Sequence, residues 1–128
     1  MSDDAMRDLA KRFFDCVEQG DVDGLVACYA PDAEIWHNTD EQIQGPEDNR
    51  KTLAGMVTRI LDRVYDNRRV EVYAGGFVQQ HILRGTRALD GVRVALPACI
   101  VCAVEHGKIT RLDEYFDSAR VAEFRKTA

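Results

Sequence analysis

Apolar residues recur at intervals of three and four in the first segment of the chain, and this spacing predicts an amphipathic helix. Ser2 suits the N-cap of that helix and Gly20 suits its end. The apolar positions of the helix are Met6, Leu9, Phe13 and Val17. A second, shorter helix is expected between Asp21, a favourable N-cap, and Pro31. Its apolar face comprises Val22, Leu25, Val26 and Tyr29.

A short strand is predicted from Ala33 to Asn38, ahead of a third helix. Pro46 favours the start of that helix, because proline is well suited to a first helical turn. The apolar stripe that defines the helix is Leu53, Met56, Val57, Ile60, Leu61 and Val64. This stripe predicts that the helix continues to about residue 64.

Beyond Tyr65, turn signals divide the chain into four β-rich runs, 68–74, 77–89, 92–105 and 108–117. The signals are Gly75-Gly76, Asp90-Gly91 and His106-Gly107. Such dipeptides favour hairpins, so the four runs predict an antiparallel meander. Helices followed by strands indicate an α+β fold, and the length fits one domain that spans residues 1–128.

The third of these runs is apolar on both of its alternating faces. One face carries Val94, Leu96, Ala98, Ile100, Cys102 and Val104. The other carries Ala95, Pro97, Cys99, Val101 and Ala103. A strand with one wet face would alternate polar and apolar residues, so both faces should be covered. Helices can cover one face, and a second copy of the sheet is the simplest cover for the other. We therefore expect a homodimer; the alternative is that the termini or the third helix wrap this face.

Composition narrows the functional classes. The chain has 17 basic and 22 acidic residues and a formal net charge of -5, so a nucleic-acid or anionic membrane surface is not expected. No apolar run is long enough to span a membrane. No secretory segment is evident at the N-terminus, so four cysteines indicate free thiols in the cytoplasm. Three histidines lack metal-ligand spacing and no phosphate-binding glycine loop precedes a helix, so neither metal nor cofactor is expected.

Strand alternation selects a candidate catalytic pair. Glu114 shares one face of the last run with Leu112 and Phe116, and His81 lies between apolar neighbours on the second run. If both faces point into one concave sheet, the acid and the imidazole could transfer a proton near neutral pH. The alternative is a structural ion pair, or exposure of either residue to solvent.

The stretch "DAEIWHNTD" supplies a second set of candidates. Alternation puts Trp36 and Asn38 on one side of the strand and His37 on the other. An indole and an amide suit an apolar ligand that carries one or two oxygens, so Trp36 and Asn38 are candidate binding residues. Core packing for Trp36 and a turn role for Asn38 are the alternatives. Tyr29 and Phe13 are expected to face the same cavity from the helices.

The stretches "QGDVDGLVACYAPDAEIWHN" and "LPACIVCAVEHGKITRLDEYFDSA" resemble SnoaL-like proteins of the nuclear transport factor 2-like superfamily. The resemblance implies a cone-shaped, mostly antiparallel mixed sheet folded over three helices, with a pocket at one end. Known members include ketosteroid isomerases, limonene epoxide hydrolases, polyketide cyclases and non-catalytic binders.

Carrying over site positions from these enzymes gives partial matches. The oxyanion-hole tyrosine and aspartic acid of ketosteroid isomerase fall here on Phe13 and Cys99. Glu114 matches one carboxylate of the epoxide hydrolase, and Trp36 and Asn38 match its tyrosine and asparagine. Since neither set is complete, fold alone does not choose the reaction.

Together, these observations predict a cofactor-independent enzyme that transfers a proton in a small apolar, oxygenated molecule, as an isomerase, cyclase, dehydratase or hydrolase. Glu114 would act as the acid or base and His81 would tune it or relay the proton. The remaining residues expected to bind substrate are Trp36, Asn38, Cys99, Tyr29, Phe13, Leu112 and Phe116. The alternatives are a non-catalytic binding protein and a dimeric interaction module.

Overall fold

The computed structural model describes residues 1–126, which form helices on one side of a sheet. The helices are α1 (Asp3–Gln19), α2 (Val22–Val26), α3 (Pro46–Arg59) and α4 (Ser118–Phe124). The strands are β1 (Tyr29–His37), β2 (Ile43–Gln44), β3 (Ile60–Tyr73), β4 (Gly76–Arg87), β5 (Arg93–Glu105) and β6 (Lys108–Phe116). The predicted α+β class is confirmed.

The six strands form one mixed sheet in the order β2-β1-β6-β5-β4-β3. The predicted meander is confirmed, since β3 to β6 pair antiparallel in sequence order. The first long strand, β1, lies next to the last strand, β6, and pairs parallel with it. This long-range pairing sets Ile35 opposite Leu112 and His37 opposite Glu114.

The predicted helix starts are confirmed by their caps. Ser2 accepts a hydrogen bond from the Ala5 amide at 3.1 Å, and Asp21 accepts one from the Gly24 amide at 2.9 Å. Gly20 ends α1 in the left-handed conformation, with φ of 73°, which glycine adopts without a steric penalty. Pro46 occupies the first turn of α3 as expected.

Two predicted boundaries are wrong, and two elements, β2 and a fourth helix, were not predicted. The second helix ends at Val26, so Tyr29 begins β1 instead of lying on a helix. The third helix ends at Arg59, and Ile60, Leu61 and Val64 belong to β3. A fourth helix, Ser118–Phe124, buries Val121 and Phe124 where no helix was predicted.

Two irregularities in β3 explain its misassigned start. The pairing with β4 shifts register between Leu61 and Val64 and again between Asp66 and Arg69. Asp62 and Asn67 lie at these shifts with φ of 52° and 55°. Each bulge interrupts the two-residue alternation of a strand, so the local sequence loses its strand signature.

Arg63, next to the first bulge, joins the ends of two helices to the sheet. Its guanidinium donates to the carbonyl oxygens of Val17 and Glu18 at 2.9 and 3.1 Å, near the C-terminus of α1. It also donates to the Val57 and Ile60 carbonyl oxygens at 3.1 and 2.6 Å, at the end of α3. Carbonyls at helix ends lack intrahelical partners, so one side chain satisfies both ends.

The two faces of the sheet differ in burial. The inner face is covered by the helices and carries fully buried residues, such as Phe77, Ile100 and Cys102. The outer face of β5 is partly exposed within the single chain, with Cys99 and Val101 half-buried and Pro97 exposed. Residues 1–126 therefore leave this face incompletely covered, and the homodimer stays a prediction.

Candidate functional site

A cavity of about 80 Å³ lies between α3, α4 and the inner face of the sheet. By the volume that one buried water needs, it has room for roughly six waters or one small organic molecule. Leu83, Leu96, Ala98 and Phe116 form its apolar surface, and His37, His81 and Glu114 contribute titratable groups. A smaller cavity of about 40 Å³ shares His37 and Glu114 with it. A mostly apolar space with a few convergent polar groups is the usual form of a small-molecule site.

Glu114 contacts His37 within this cavity. The Nε2 atom of His37 lies 3.1 Å from Oε1 of Glu114, and the two side chains are only 12% and 17% exposed. The imidazole also stacks on Phe116, with the ring planes inclined by 17°. The β1–β6 register creates this pair, because it places His37 directly opposite Glu114 on neighbouring strands. The arrangement provides a carboxylate and an imidazole that can exchange a proton.

His81 lies deeper in the same cavity and is 4% exposed. Its Nδ1 atom is 2.9 Å from the amide nitrogen of Gln79, two residues away on the same face of β4. The rings of Tyr65 and Phe14 contact the imidazole edge-on, with centroids 4.5 and 5.1 Å away. Burial in these apolar surroundings lowers the pKa of His81 to about 4, although the negative charge of Glu114 acts in the opposite direction. His81 is therefore a neutral imidazole at pH 7.

Tyr65 also lines the cavity and stays protonated. Burial raises the pKa of its phenol far above the usual value, and the nearby Glu114 carboxylate adds to that increase. A neutral phenol is both a hydrogen-bond donor and an acceptor. The site thus contains one carboxylate–imidazole pair and two neutral polar rings, and its lining also includes Arg59, Arg125, Asn49 and Thr52.

Four of the residues predicted to bind substrate border the two cavities. Phe13, Tyr29 and Leu112 line the smaller one, and Phe116 lines the larger one. Tyr29 has its hydroxyl satisfied, because it donates to Oδ1 of Asn49 at 2.8 Å. Phe13 packs edge-on against Tyr29, with ring centroids 5.6 Å apart. These residues therefore combine core packing with contact to the cavities.

Trp36, Cys99 and Asn38 do not border either cavity. Trp36 packs edge-on against Tyr115 with centroids 5.2 Å apart, and Cys99 pairs with Tyr115 across β5 and β6. Both therefore lie on the outer face. Asn38 serves the backbone: its amide nitrogen donates to the Phe116 carbonyl oxygen at 2.9 Å, and its amide oxygen accepts from the Phe116 N–H at 3.0 Å.

The structure brings Glu114 and His81 to one cavity, but the direct partner of Glu114 is His37. Sequence alternation placed His37 and Trp36 on opposite faces of the first strand and favoured Trp36 and Asn38 for the cavity, whereas the structure places His37 there. Ile35 shares the face of His37 by alternation and is 1% exposed in the structure. That apolar residue, two positions before His37, is the sequence signal that favours His37. The contact between His37 and Glu114 depends in addition on the pairing of β1 with β6, which the sequence pattern does not give.

Among residues 1–126, no cluster of three or more histidine, cysteine or carboxylate side chains is arranged to hold a metal ion. In the same range, no helix has both the length and the apolar character needed to cross a membrane.

Comparison with known proteins agrees with this fold. A family model for the SnoaL-like domain matches residues 10–112. An uncharacterized protein of Mycobacterium tuberculosis is 29% identical over 134 aligned residues, covering 96% of this chain and 97% of that protein. Two solved structures share the fold. One, a candidate polyketide cyclase of Xanthomonas campestris, has a TM-score of 0.83 at 17% identity, covering 92% of this chain and 94% of that one. The other, an LEH-like epoxide hydrolase of M. tuberculosis, has a TM-score of 0.76 at 20% identity, covering 94% and 87%.

Proposed function

The chain belongs to the SnoaL-like domain family, and we propose that it is a cofactor-independent enzyme that transfers a proton in a small, largely apolar, oxygenated molecule. The observation that carries this proposal is the 3.1 Å contact of Glu114 with His37 inside a mostly apolar cavity. The family's fold neighbours include proteins described as a cyclase and an epoxide hydrolase, and both reaction classes include proton-transfer steps.

In the proposed reaction Glu114 is the base. Its carboxylate takes a proton from a carbon next to a carbonyl group, and the C–H electron pair forms a C=C bond while the carbonyl oxygen gains the charge. The same carboxyl group then returns the proton to another atom, so atoms and electrons balance without an oxidant or a second substrate. His37 holds the carboxylate in place and stabilises its charge. The atom that receives the proton determines whether the reaction is an isomerisation, a cyclisation or a dehydration.

The test is exchange of carbon-bound protons for deuterium, measured by proton NMR in D₂O. Small cyclic ketones and lactones are incubated with the protein and with two variants. The wild-type protein is expected to accelerate exchange next to the carbonyl group, and Glu114→Gln is expected to lose about 100-fold or more of this rate. Glu105→Gln, an exposed glutamate at the end of β5, is the matched control and should keep it. Equal rates in both variants would contradict the role of Glu114.

A non-catalytic binding protein is the second candidate, because Tyr29 and His81 are rigidly packed around the same cavities. For a binder, a ketone or lactone would raise the melting temperature without deuterium exchange in any variant. The two assays therefore separate turnover from binding.

We also propose that two copies pair through the outer face of the sheet. The face is centred on apolar or small residues: Trp36, Ile82, Ala95, Pro97, Cys99 and Val101. The ion pairs Arg84–Asp66 and Arg111–Asp113 lie on the same face, with Asp113 between Trp36 and Val101, so an interface here would combine apolar and charged contacts. Val101→Asp should convert a dimer of about 29 kDa, twice the chain mass, into a monomer in sedimentation experiments. Val92→Asp, in an exposed turn, is the control, and a wild-type monomer would contradict the proposal.

The cysteines support a location in the cytoplasm. All four are unpaired, and Cys99 and Cys102 lie on opposite faces of β5. Free thiols persist in reducing compartments, so fractionation of cells is expected to find the protein in the cytoplasm. Recovery from an oxidising compartment would contradict this location.

A further inference from the structure

One ring nitrogen of His81 lacks a hydrogen-bond partner within the protein. His81 Nε2 is buried and makes no hydrogen bond to any atom of residues 1–126. The ring is 4% exposed and borders the cavity. A buried polar atom without a partner destabilises the folded state, and such atoms are rare in native proteins. This atom therefore requires a physical reason.

The neighbouring amide indicates which ring nitrogen carries the proton. Gln79 is fully buried, and its amide nitrogen lies 2.9 Å from Nδ1 of His81. With Gln79 oriented in this way its N–H donates to Nδ1, and a neutral ring then carries its proton on Nε2. The side-chain oxygen of Gln79 is also buried and has no partner among residues 1–126. His81 lines the cavity and Gln79 does not, which favours the Nε2 side of the ring, away from Gln79, as the side that meets the cavity. The field of the Glu114 carboxylate, on the same cavity, also favours an N–H directed toward it.

We propose that the Nε2–H group of His81 is the donor that binds an acceptor oxygen of the ligand, so that the cavity selects carbonyl compounds. A ligand carbonyl group would satisfy the only unpaired donor of this ring, whereas an ammonium group or a hydrocarbon would not. This inference deepens the proposed function and rests on the same cavity. It assigns His81 a different task from Glu114: the carboxylate moves the proton, and the neutral imidazole holds the oxygen.

The geometry suits an oxygen that gains charge. As Glu114 removes a proton from carbon, the electron pair moves to the carbonyl oxygen, and a hydrogen bond from His81 becomes stronger. A neutral imidazole N–H is a very weak acid, so the donor keeps its own proton during this step, and contacts with Gln79, Phe14 and Tyr65 hold the ring in place. The donor is fixed before the ligand arrives, which limits the rearrangement that the step requires.

The first test needs no variant and measures the tautomer of His81. In ¹⁵N-labelled protein at pH 7, the imidazole resonances should identify a ring that is protonated on Nε2 and unprotonated on Nδ1. Addition of cyclohexanone should shift the Nε2–H proton downfield. A ring protonated on Nδ1, or an Nε2–H resonance that does not respond to bound ketone, would overturn the proposal.

The second test compares two probes of similar shape, cyclohexanone and methylenecyclohexane, of which only the ketone has an acceptor oxygen. Binding is measured in the Glu114→Gln background, where the proposed proton transfer is removed. The ketone should bind about tenfold more tightly than the alkene, and His81→Leu should reduce this ratio to about one. His106→Asn changes an exposed histidine in a turn and should leave the ratio unchanged.

Each result has a defined meaning. If Tyr65→Phe abolishes the ratio and His81→Leu does not, the phenol is the donor and the proposal is wrong. A ratio near one in the protein with intact His81 also overturns it. A retained ratio together with no deuterium exchange in the wild-type protein would reject the proposed enzyme and keep the ligand site. Rapid deuterium exchange in the wild-type protein, together with an unchanged ketone-to-alkene binding ratio in His81→Leu, would support the proposed enzyme and reject His81 as the donor.

Discussion

Replacing His81 by leucine removes a group whose protonation opposes folding. Burial lowers the pKa of His81 to about 4 in the folded protein, against an ordinary value of 6.5. Because the folded-state pKa is the lower one, protons bind preferentially to the unfolded chain. The stabilising effect of the neutral ring is complete above pH 6.5 and is lost progressively as the pH falls toward 4.

The size of this effect follows from the two values. Their difference of about 2.5 pH units, at 1.36 kcal/mol per unit, sets an upper limit of about 3 kcal/mol. Between pH 7.5 and 4.5 the linkage relation gives a loss of about 2.5 kcal/mol in the free energy of unfolding. Solvent screening does not reduce this loss appreciably, since the ring is 4% exposed.

The assay is urea unfolding followed by circular dichroism at pH 7.5 and 4.5. The wild-type protein should lose about 2.5 kcal/mol more between these pH values than His81→Leu does. Losses from the carboxylates of Asp15 and Asp90, whose pKa values lie below their usual range beside Lys11 and Arg87, occur in both proteins and cancel. His106→Asn should behave as the wild type. Equal losses in wild type and His81→Leu would refute the neutral, buried state of His81.

Two further predictions concern the supports of the site. Arg63→Met should lower the free energy of unfolding by about 2–4 kcal/mol, because four carbonyl oxygens at the ends of α1 and α3 lose the guanidinium donor, although Val17 keeps the Gly20 amide. Arg69→Met, exposed on β3, is the control for urea unfolding, and a comparable loss there would contradict this role. Asn38→Ala should cost about 2 kcal/mol and broaden the NMR signals of Phe116, because both side-chain hydrogen bonds to its backbone disappear. Unchanged stability and sharp Phe116 signals would contradict this role of Asn38.

The strand pairing of the second half was predictable because that part of the fold is local. Asp90-Gly91 and His106-Gly107 each join adjacent antiparallel strands, so short-range turn chemistry is sufficient. The start of β3 was not predictable in the same way. Ile60, Leu61 and Val64 have helical spacing, and the bulge at Asp62 hides the alternation that would indicate a strand.

The candidate site shows the same division between local and distant information. Alternation along single strands correctly grouped Glu114 with Leu112 and Phe116 on the inner face. The choice between His37 and Trp36 depends on the parallel pairing of β1 with β6, which joins residues far apart in the chain. No local pattern specifies that pairing. The outward position of Trp36 follows from it, since its neighbour on β6 is Asp113 and its ring meets Tyr115.

The location of a bound ketone tests the proposed ligand site most directly. With methyl-labelled protein and cyclohexanone, nuclear Overhauser effects between ligand protons and protein methyl groups report contacts within a few ångströms. We expect contacts to Leu83, Leu96 and Ala98, which line the inner cavity. Contacts confined to Ala95 and Val101, on the outer face of the same strand, would contradict a ligand site inside the sheet.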